Sequence, residues 1–199
     1  MMDDPSSFTD EENWRGGFYE LAMEFAGTAD GPLLKGLEVI RDAATLDGFH
    51  TARDREPAGQ VPYALESGLP TGHLYGLTRP PAGRTCVCGA LVSRFDDGTS
   101  WLIFYLPLEA LGRTDRRVGA FPFNEDDEPS SLAWRRPLDD WLVSLARRVY
   151  GVVRFRRALV GFETYGEETE QTPGAVPERR SCGYLLPREE TLDYWPATD

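Results

Sequence analysis

Lysine is almost missing from this chain: Lys35 is the single lysine among 21 basic residues, and the other 20 are arginine. Histidine is nearly as scarce, with only His50 and His73. That scarcity narrows the chemistry, because serine and cysteine hydrolases usually take their base from histidine. Both histidines stand in Gly/Pro-rich connections, and the chain has no G-x-S-x-G, P-loop, G-x-G-x-x-G or H-E-x-x-H pattern. No cofactor is therefore expected. The three cysteines, an odd number, argue for a reducing compartment rather than a disulfide framework. No apolar run approaches the roughly 20 residues that cross a bilayer. The opening residues "MMDDPSSFTDEENW" are acidic where a signal peptide would be basic and then apolar. The expected location is the cytoplasm, with no membrane role.

What is present is an ordinary globular balance of 41% hydrophobic, 12% aromatic and 27% charged residues, enough over 199 residues to bury a real core. The net charge of −12 is unevenly spread, at −9 in residues 1–112, +1 in 113–188 and −4 in 189–199. Such a chain is repelled by phosphate backbones and anionic lipid, so nucleic acid is an improbable partner despite five Arg-Arg pairs.

Residues 1–17 lack periodicity and read as a flexible acidic tail, leaving 18–199 as a single domain. In "FYELAMEF" (18–25) apolar and polar residues alternate with period two, which predicts a strand over the helical preference of Glu, Leu, Ala and Met. Asp30-Gly31-Pro32 opens a helix carrying Leu33, Leu37 and Ile40, and a long Gly/Pro-rich link follows to about Pro70. "HLYGLT" is a strand. "RTCVCGALVSRF" and "SWLIFYLP" form a hairpin about Asp97-Gly98, with positive φ expected at both turn residues. "VGAFPF" reads as another strand. The clearest helix starts at Pro137 and buries Leu138, Trp141, Leu142, Leu145 and Val149. "VRFRRALVGFET" and "SCGYLLP" are the last strands, and Tyr194 and Trp195 are expected to pack.

The fold class is therefore α+β, a mainly antiparallel sheet with two helices on one face. Two strand–helix–strand–strand stretches, 18–107 and 118–187, suggest a tandem βαββ duplication, with Ala-Leu-Val repeated at 90–92 and 158–160.

Four groups of residues are candidates for chemistry. Cys86 and Cys88 share a strand face about 7 Å apart, and a zinc site needs two further ligands that nothing brings near. A buried apolar role fits them better, so no metal is expected. Glu20 and Glu24 share a face of the first strand about 13 Å apart, too far for paired acid–base work on one bond. Glu163 ends the corresponding later strand. With Tyr105 and Arg154 they make the candidate ligand set, suited to a small cationic or amphipathic molecule in a cleft between the two units; the plainer expectation is that Glu20 and Glu24 face water. Arg154 and Arg156 are expected to share a strand face, more often paired with local acids than free for a phosphate. Asp126, Asp127, Glu167 and Glu168 lie in acidic loops that would meet a basic protein partner.

The leading expectation is non-catalytic binding, as a regulatory or immunity-type interaction module using these acidic loops. The alternative is a small-molecule-binding domain with its ligand in the cleft. The minority alternative is an enzyme using the cleft carboxylates.

Overall fold

In a computed structural model, residues 4–81, 83–119, 128–165 and 176–198 are described, with the backbone alone for 119 and 128–131. Among these, seven strands form one antiparallel sheet in the order β2-β3-β4-β1-β5-β6-β7. The strands are β1 Phe18–Ala26, β2 Leu74–Thr78, β3 Cys86–Arg94, β4 Thr99–Pro107, β5 Arg157–Phe162, β6 Gly183–Arg188 and β7 Thr191–Trp195, and the α-helices are α1 Asp30–Ala43, α2 Leu108–Thr114 and α3 Glu128–Val152. The fold is α+β.

Strand β1 is central, paired with β4 on one side and β5 on the other. Those two ladders satisfy its backbone on both edges, and this is why its alternating pattern overrides the helical preference of its residues. Tyr19, Leu21, Met23 and Phe25 join Leu33, Leu37 and Ile40 of α1 and Leu138, Leu142, Leu145 and Val149 of α3 in one large apolar cluster. Cys86, Cys88 and Ala90 belong to the same cluster. A second, smaller cluster holds Ala22, Trp101, Ile103, Tyr105, Leu159, Cys182 and Tyr184. The period of two thus divides each strand between two cores.

The three cysteines are buried and form no disulfide with one another, and burial pushes the Cys86 thiol up to about 12 and raises Cys88 as well. Such thiols are poor nucleophiles. Cys182 falls in the other cluster, away from the pair. Among the described residues no three His, Cys, Asp or Glu side chains are placed to share a metal ion.

Several elements differ from their sequence expectation. Residues 4–17 are packed rather than a free tail: Phe8 is 1% exposed and meets Trp14 edge-on at 5.6 Å, and Trp14 Nε1 donates to the Phe8 carbonyl at 2.8 Å. Non-periodic turns carry this segment, so its pattern has no helical or strand signature. Helix α3 begins at Glu128, with Pro137 inside it. A proline there removes one intrahelical bond, and burial of Trp134 and Arg135 ahead of it offsets the loss. Val118 and Gly119 lie in a short 3-10 turn, Arg116–Gly119, rather than in a strand; residues 120–123 of "VGAFPF" lie outside the described residues. In the β3–β4 turn only Gly98 has positive φ, at 82°, while Asp97 caps Thr99 N at 2.8 Å. Tyr194 and Trp195 sit in a strand of their own, β7, hydrogen-bonded to β6.

Candidate functional site

Strand register places the candidate residues on the side of the sheet that carries the smaller cluster. Tyr75, Gly89, Tyr105, Glu20 and Gly161 form one cross-strand row through β2, β3, β4, β1 and β5. Beside it runs an apolar row of Leu91, Ile103, Ala22, Leu159, Tyr184 and Trp195. A third row holds Ser93, Trp101, Glu24 and Arg157.

The two glycines shape the first row. A Cβ on Gly89 would collide with the Tyr105 ring, so glycine there lets that ring lie flat across β3 towards β2. The Tyr105 hydroxyl consequently meets His73 Nδ1 at 2.7 Å, and the exposed His73 ring stacks on Tyr75 at 6.0 Å and 10°. Burial, then the charge of Arg53, lowers the His73 pKa, which favours neutral imidazole near pH 7. Phe18 covers Tyr105 from below at 4.3 Å.

Glu20 is 3% exposed. Its Oε1 accepts from Tyr165 N at 2.6 Å and from Thr164 Oγ1 at 3.1 Å. No basic side chain pairs with it among the described residues. Burial pushes its pKa up to about 7, opposed by those two hydrogen bonds and helped by the Glu163 charge. Glu163 itself is exposed and adopts φ 43°, a left-handed conformation uncommon for a side-chain-bearing residue and frequent near functional sites. A Cβ on Gly17 would come within 2.6 Å of Glu163 Oε1.

Glu24, four residues along, is 6% exposed and lies between two guanidinium groups. Arg157 Nε donates to its Oε2, and Arg156 stands 3.1 Å from Oε1. Arg157 also stacks over Trp101 at 5.4 Å. Tyr165 crosses the face between the two carboxylates: its backbone binds Glu20, its ring packs on Trp101 at 6.0 Å, and its hydroxyl bonds Ser93 Oγ.

Glu20, Glu163 and Tyr105 are thus neighbours, as the candidate set requires. Glu20 and Glu24 do not face water; the sheet face that holds them is covered. Arg154 belongs elsewhere, since it precedes β5, pairs with Glu190 and lies 4.3 Å over Tyr150. Arg156 pairs with Glu24, so the two arginines share no strand face. Both arginines do pair with acids, Arg154 with Glu190 and Arg156 with Glu24. Asp126, Asp127, Glu167 and Glu168 lie outside the described residues.

The sequence names His73 only as a possible base and does not mark its contact with Tyr105, nor Tyr165, nor the buried triad on the opposite face. There Tyr19 donates to Asp139 Oδ1 at 2.5 Å and Arg135 Nε reaches the Tyr19 hydroxyl at 3.2 Å. The spacing of Arg135 and Asp139, four apart on one helix stripe, was the available signal. Comparison of the chain with family models, curated proteins and solved structures finds no match.

Proposed function

We propose that this protein is a small-molecule-binding module whose sheet face, at the Glu20 end of β1, takes a small cation with an aromatic or apolar body. The observation that carries the reading is a buried carboxyl group with no cationic partner among the described residues, beside Tyr105, Phe18 and the exposed Glu163, with His73 and Tyr75 farther along the same row. A ligand ammonium supplies the missing counter-charge, and the surrounding rings supply cation–π contact. In this reading helices α1 and α3 back the sheet on one side, and the ligand reaches the covered opposite side only at the Glu20 end, beside the exposed Glu163. The sheet's two halves meet at β1. A tandem βαββ origin for those halves rests on the repeated Ala-Leu-Val and on the element order expected from the sequence, since Val118 lies in a 3-10 turn and opens no strand. A reducing, cytoplasmic setting suits an odd number of cysteines that form no disulfide with one another.

A second reading, catalysis with Glu20 as general base, is favoured by its pKa near 7, where proton transfer at neutral pH is efficient. A basic protein partner at the acidic loops rests on sequence charge alone.

The test is proton linkage. Tyramine, as probe, should bind with release of up to one proton near pH 7, because its charge converts Glu20 to carboxylate. Calorimetry in buffers of different ionisation enthalpy measures that number. Binding that releases no proton, or that survives Glu20→Gln unchanged, would remove the proposal.

A further inference from the structure

Residues 4–17 fold largely on themselves. Asn13 is fully buried, and its Nδ2 donates to the Asp4 carbonyl at 2.8 Å and the Ser7 carbonyl at 2.9 Å. Asp10 caps Glu12 N at 3.1 Å, and the Trp14 indole is tied to the Phe8 carbonyl. The segment thus keeps its shape through its own contacts, as a body that moves whole must. It runs into β1 through Gly16 and Gly17, at φ 87° and 80°. Two successive glycines give the chain a pivot, because neither carries a side chain to resist backbone rotation.

The seam between this segment and the rest of the molecule is loosely filled. A cavity of about 560 Å³ lies between Asp4 and Ser7 on one side and Asp47, Pro57 and Pro62 of the α1–β2 connection on the other. A second, of about 190 Å³, lies between Thr9 and Glu11 and the facing Arg53 and Asp54. Packed interiors hold few gaps wider than a water molecule, so the seam differs from the helix–sheet core. Among the described residues its polar contacts gather on two side chains. Glu56 accepts from Ser7 Oγ and Thr9 Oγ1, both at 2.8 Å, and from the backbone of Phe8 and Thr9, both at 3.1 Å. Arg113 of α2 bonds Asp10, at 2.6 Å, and Asn13. A backbone bond also crosses, from Val87 N to the Pro5 carbonyl at 2.9 Å. At the pivot end Leu108 N and Glu109 N donate to the Gly17 and Arg15 carbonyls, at 3.0 and 3.2 Å, which keeps the pivot seated. Phe8 meets His50 at 5.9 Å, and Trp14 meets Tyr75 edge-on at 5.0 Å. Through Trp14 the segment covers the Tyr75 end of the Tyr75–Glu20 row.

We infer that residues 4–15 are a hinged strap, latched by Glu56, that swings about Gly16–Gly17 and bares the Tyr75 end of that row. Glu56 is the latch because one carboxylate gathers four donors, and removing it orphans all four at once. That the bared end then receives the apolar body of a ligand rests on the function proposed above.

The test is native-state hydrogen exchange on the full chain in sub-denaturing urea, with no ligand. The Val87 amide, released when the strap lifts, should exchange at least about tenfold faster than the Met23 amide of the central ladder, and with little dependence on urea, because a swinging strap exposes little surface. Glu56→Ala should speed Val87 exchange roughly 10- to 100-fold further. Asp96→Ala, in the exposed β3–β4 turn, should leave it within about twofold. Equal urea dependence at Val87 and Met23 would overturn the inference, since the strap would then open only with the whole fold. So would an unchanged Val87 rate in Glu56→Ala. In a second arm, tyramine should associate faster with Glu56→Ala by the factor seen at Val87, because the open fraction sets the rate; an unchanged association rate would overturn the strap's part in admitting the ligand. Tyramine that binds neither protein counts against the sheet-face reading alone, and the exchange rates then decide the strap.

Discussion

Glu20 and Glu24 occupy one face of one strand, four residues apart, and both are nearly inaccessible, at 3% and 6%. One is held by neutral donors, the other by two guanidinium groups. Register creates the difference: β5 runs antiparallel to β1, so Arg157 falls opposite Glu24 and Gly161 opposite Glu20. At the Glu24 end the charge is neutralised within the fold. At the Glu20 end burial is only partly offset, and the proton affinity of the carboxyl rises into the physiological range. Proximity in sequence thus says little about electrostatic state, because the partners come from another strand.

The contrast breaks most severely at Arg157. Among the described residues Arg157→Ala leaves the buried Glu24 with Arg156 alone, whose side chain is 49% exposed. The expected loss is roughly 2–3 kcal/mol in urea denaturation, below the full penalty of a deeply buried pair because Arg157 is itself partly solvated. A loss under half a kcal/mol would mean that the pair adds nothing to stability.

At the Glu20 end the geometric counterpart is Gly89. Gly89→Ala drives a methyl group into the Tyr105 ring and should cost about 1–3 kcal/mol. It should also break the Tyr105–His73 hydrogen bond, so the His73 titration seen by NMR should move up. Wild-type stability with an unmoved His73 would show that the ring does not lie across β3.

A third measurement reads Glu20 directly. Its folded pKa of about 7 exceeds the ordinary 4.5, so the native state binds more protons between those values. Stability should therefore fall as pH rises from about 4.5 to 7 and level off above, through a contribution of order 3 kcal/mol at most. Glu20→Gln removes that slope and should be the more stable protein at pH 8, by roughly 1–2 kcal/mol once a weakened acceptor is allowed for. Asp139, raised to about 6, titrates in both proteins and cancels in the difference. Parallel stability curves for the two proteins would mean that Glu20 titrates normally.

Much of the frame was legible because it follows from local periodicity. The alternation of β1 marks a strand and the side that meets the helices, though not that its other side is buried as well, and the C-x-C and the Leu138–Val149 stripe each mark an inward face. What stayed hidden depends on contacts distant in sequence. Nothing local marks the start of α3 ahead of Pro137, since burial of Trp134 and Arg135 decides it. Strand β7 is recognised only by its pairing with β6, and "TLDYW" is too short to declare itself. For the site, the aromatic and acidic residues of β1 and β4 were visible, whereas their pairing states were not. One faint signal existed: Arg157 and Gly161 are spaced as Glu24 and Glu20 are, which is what an antiparallel partner requires.

The smallest predicted effect tests what joins the two ends. Tyr165 spans them, with its backbone on Glu20 and its hydroxyl on Ser93. Tyr165→Phe keeps the ring against Trp101 and Phe95 and removes a single hydroxyl contact, so the expected loss is about 1 kcal/mol. The Glu20 titration should not move, because the backbone N–H that lowers it is retained. If the titration instead rises by a unit or more, the Ser93 contact is what holds the Tyr165 backbone on Glu20. The two ends would then be a single coupled unit, and the contrast between Glu20 and Glu24 would depend on the residue that bridges them as much as on strand register.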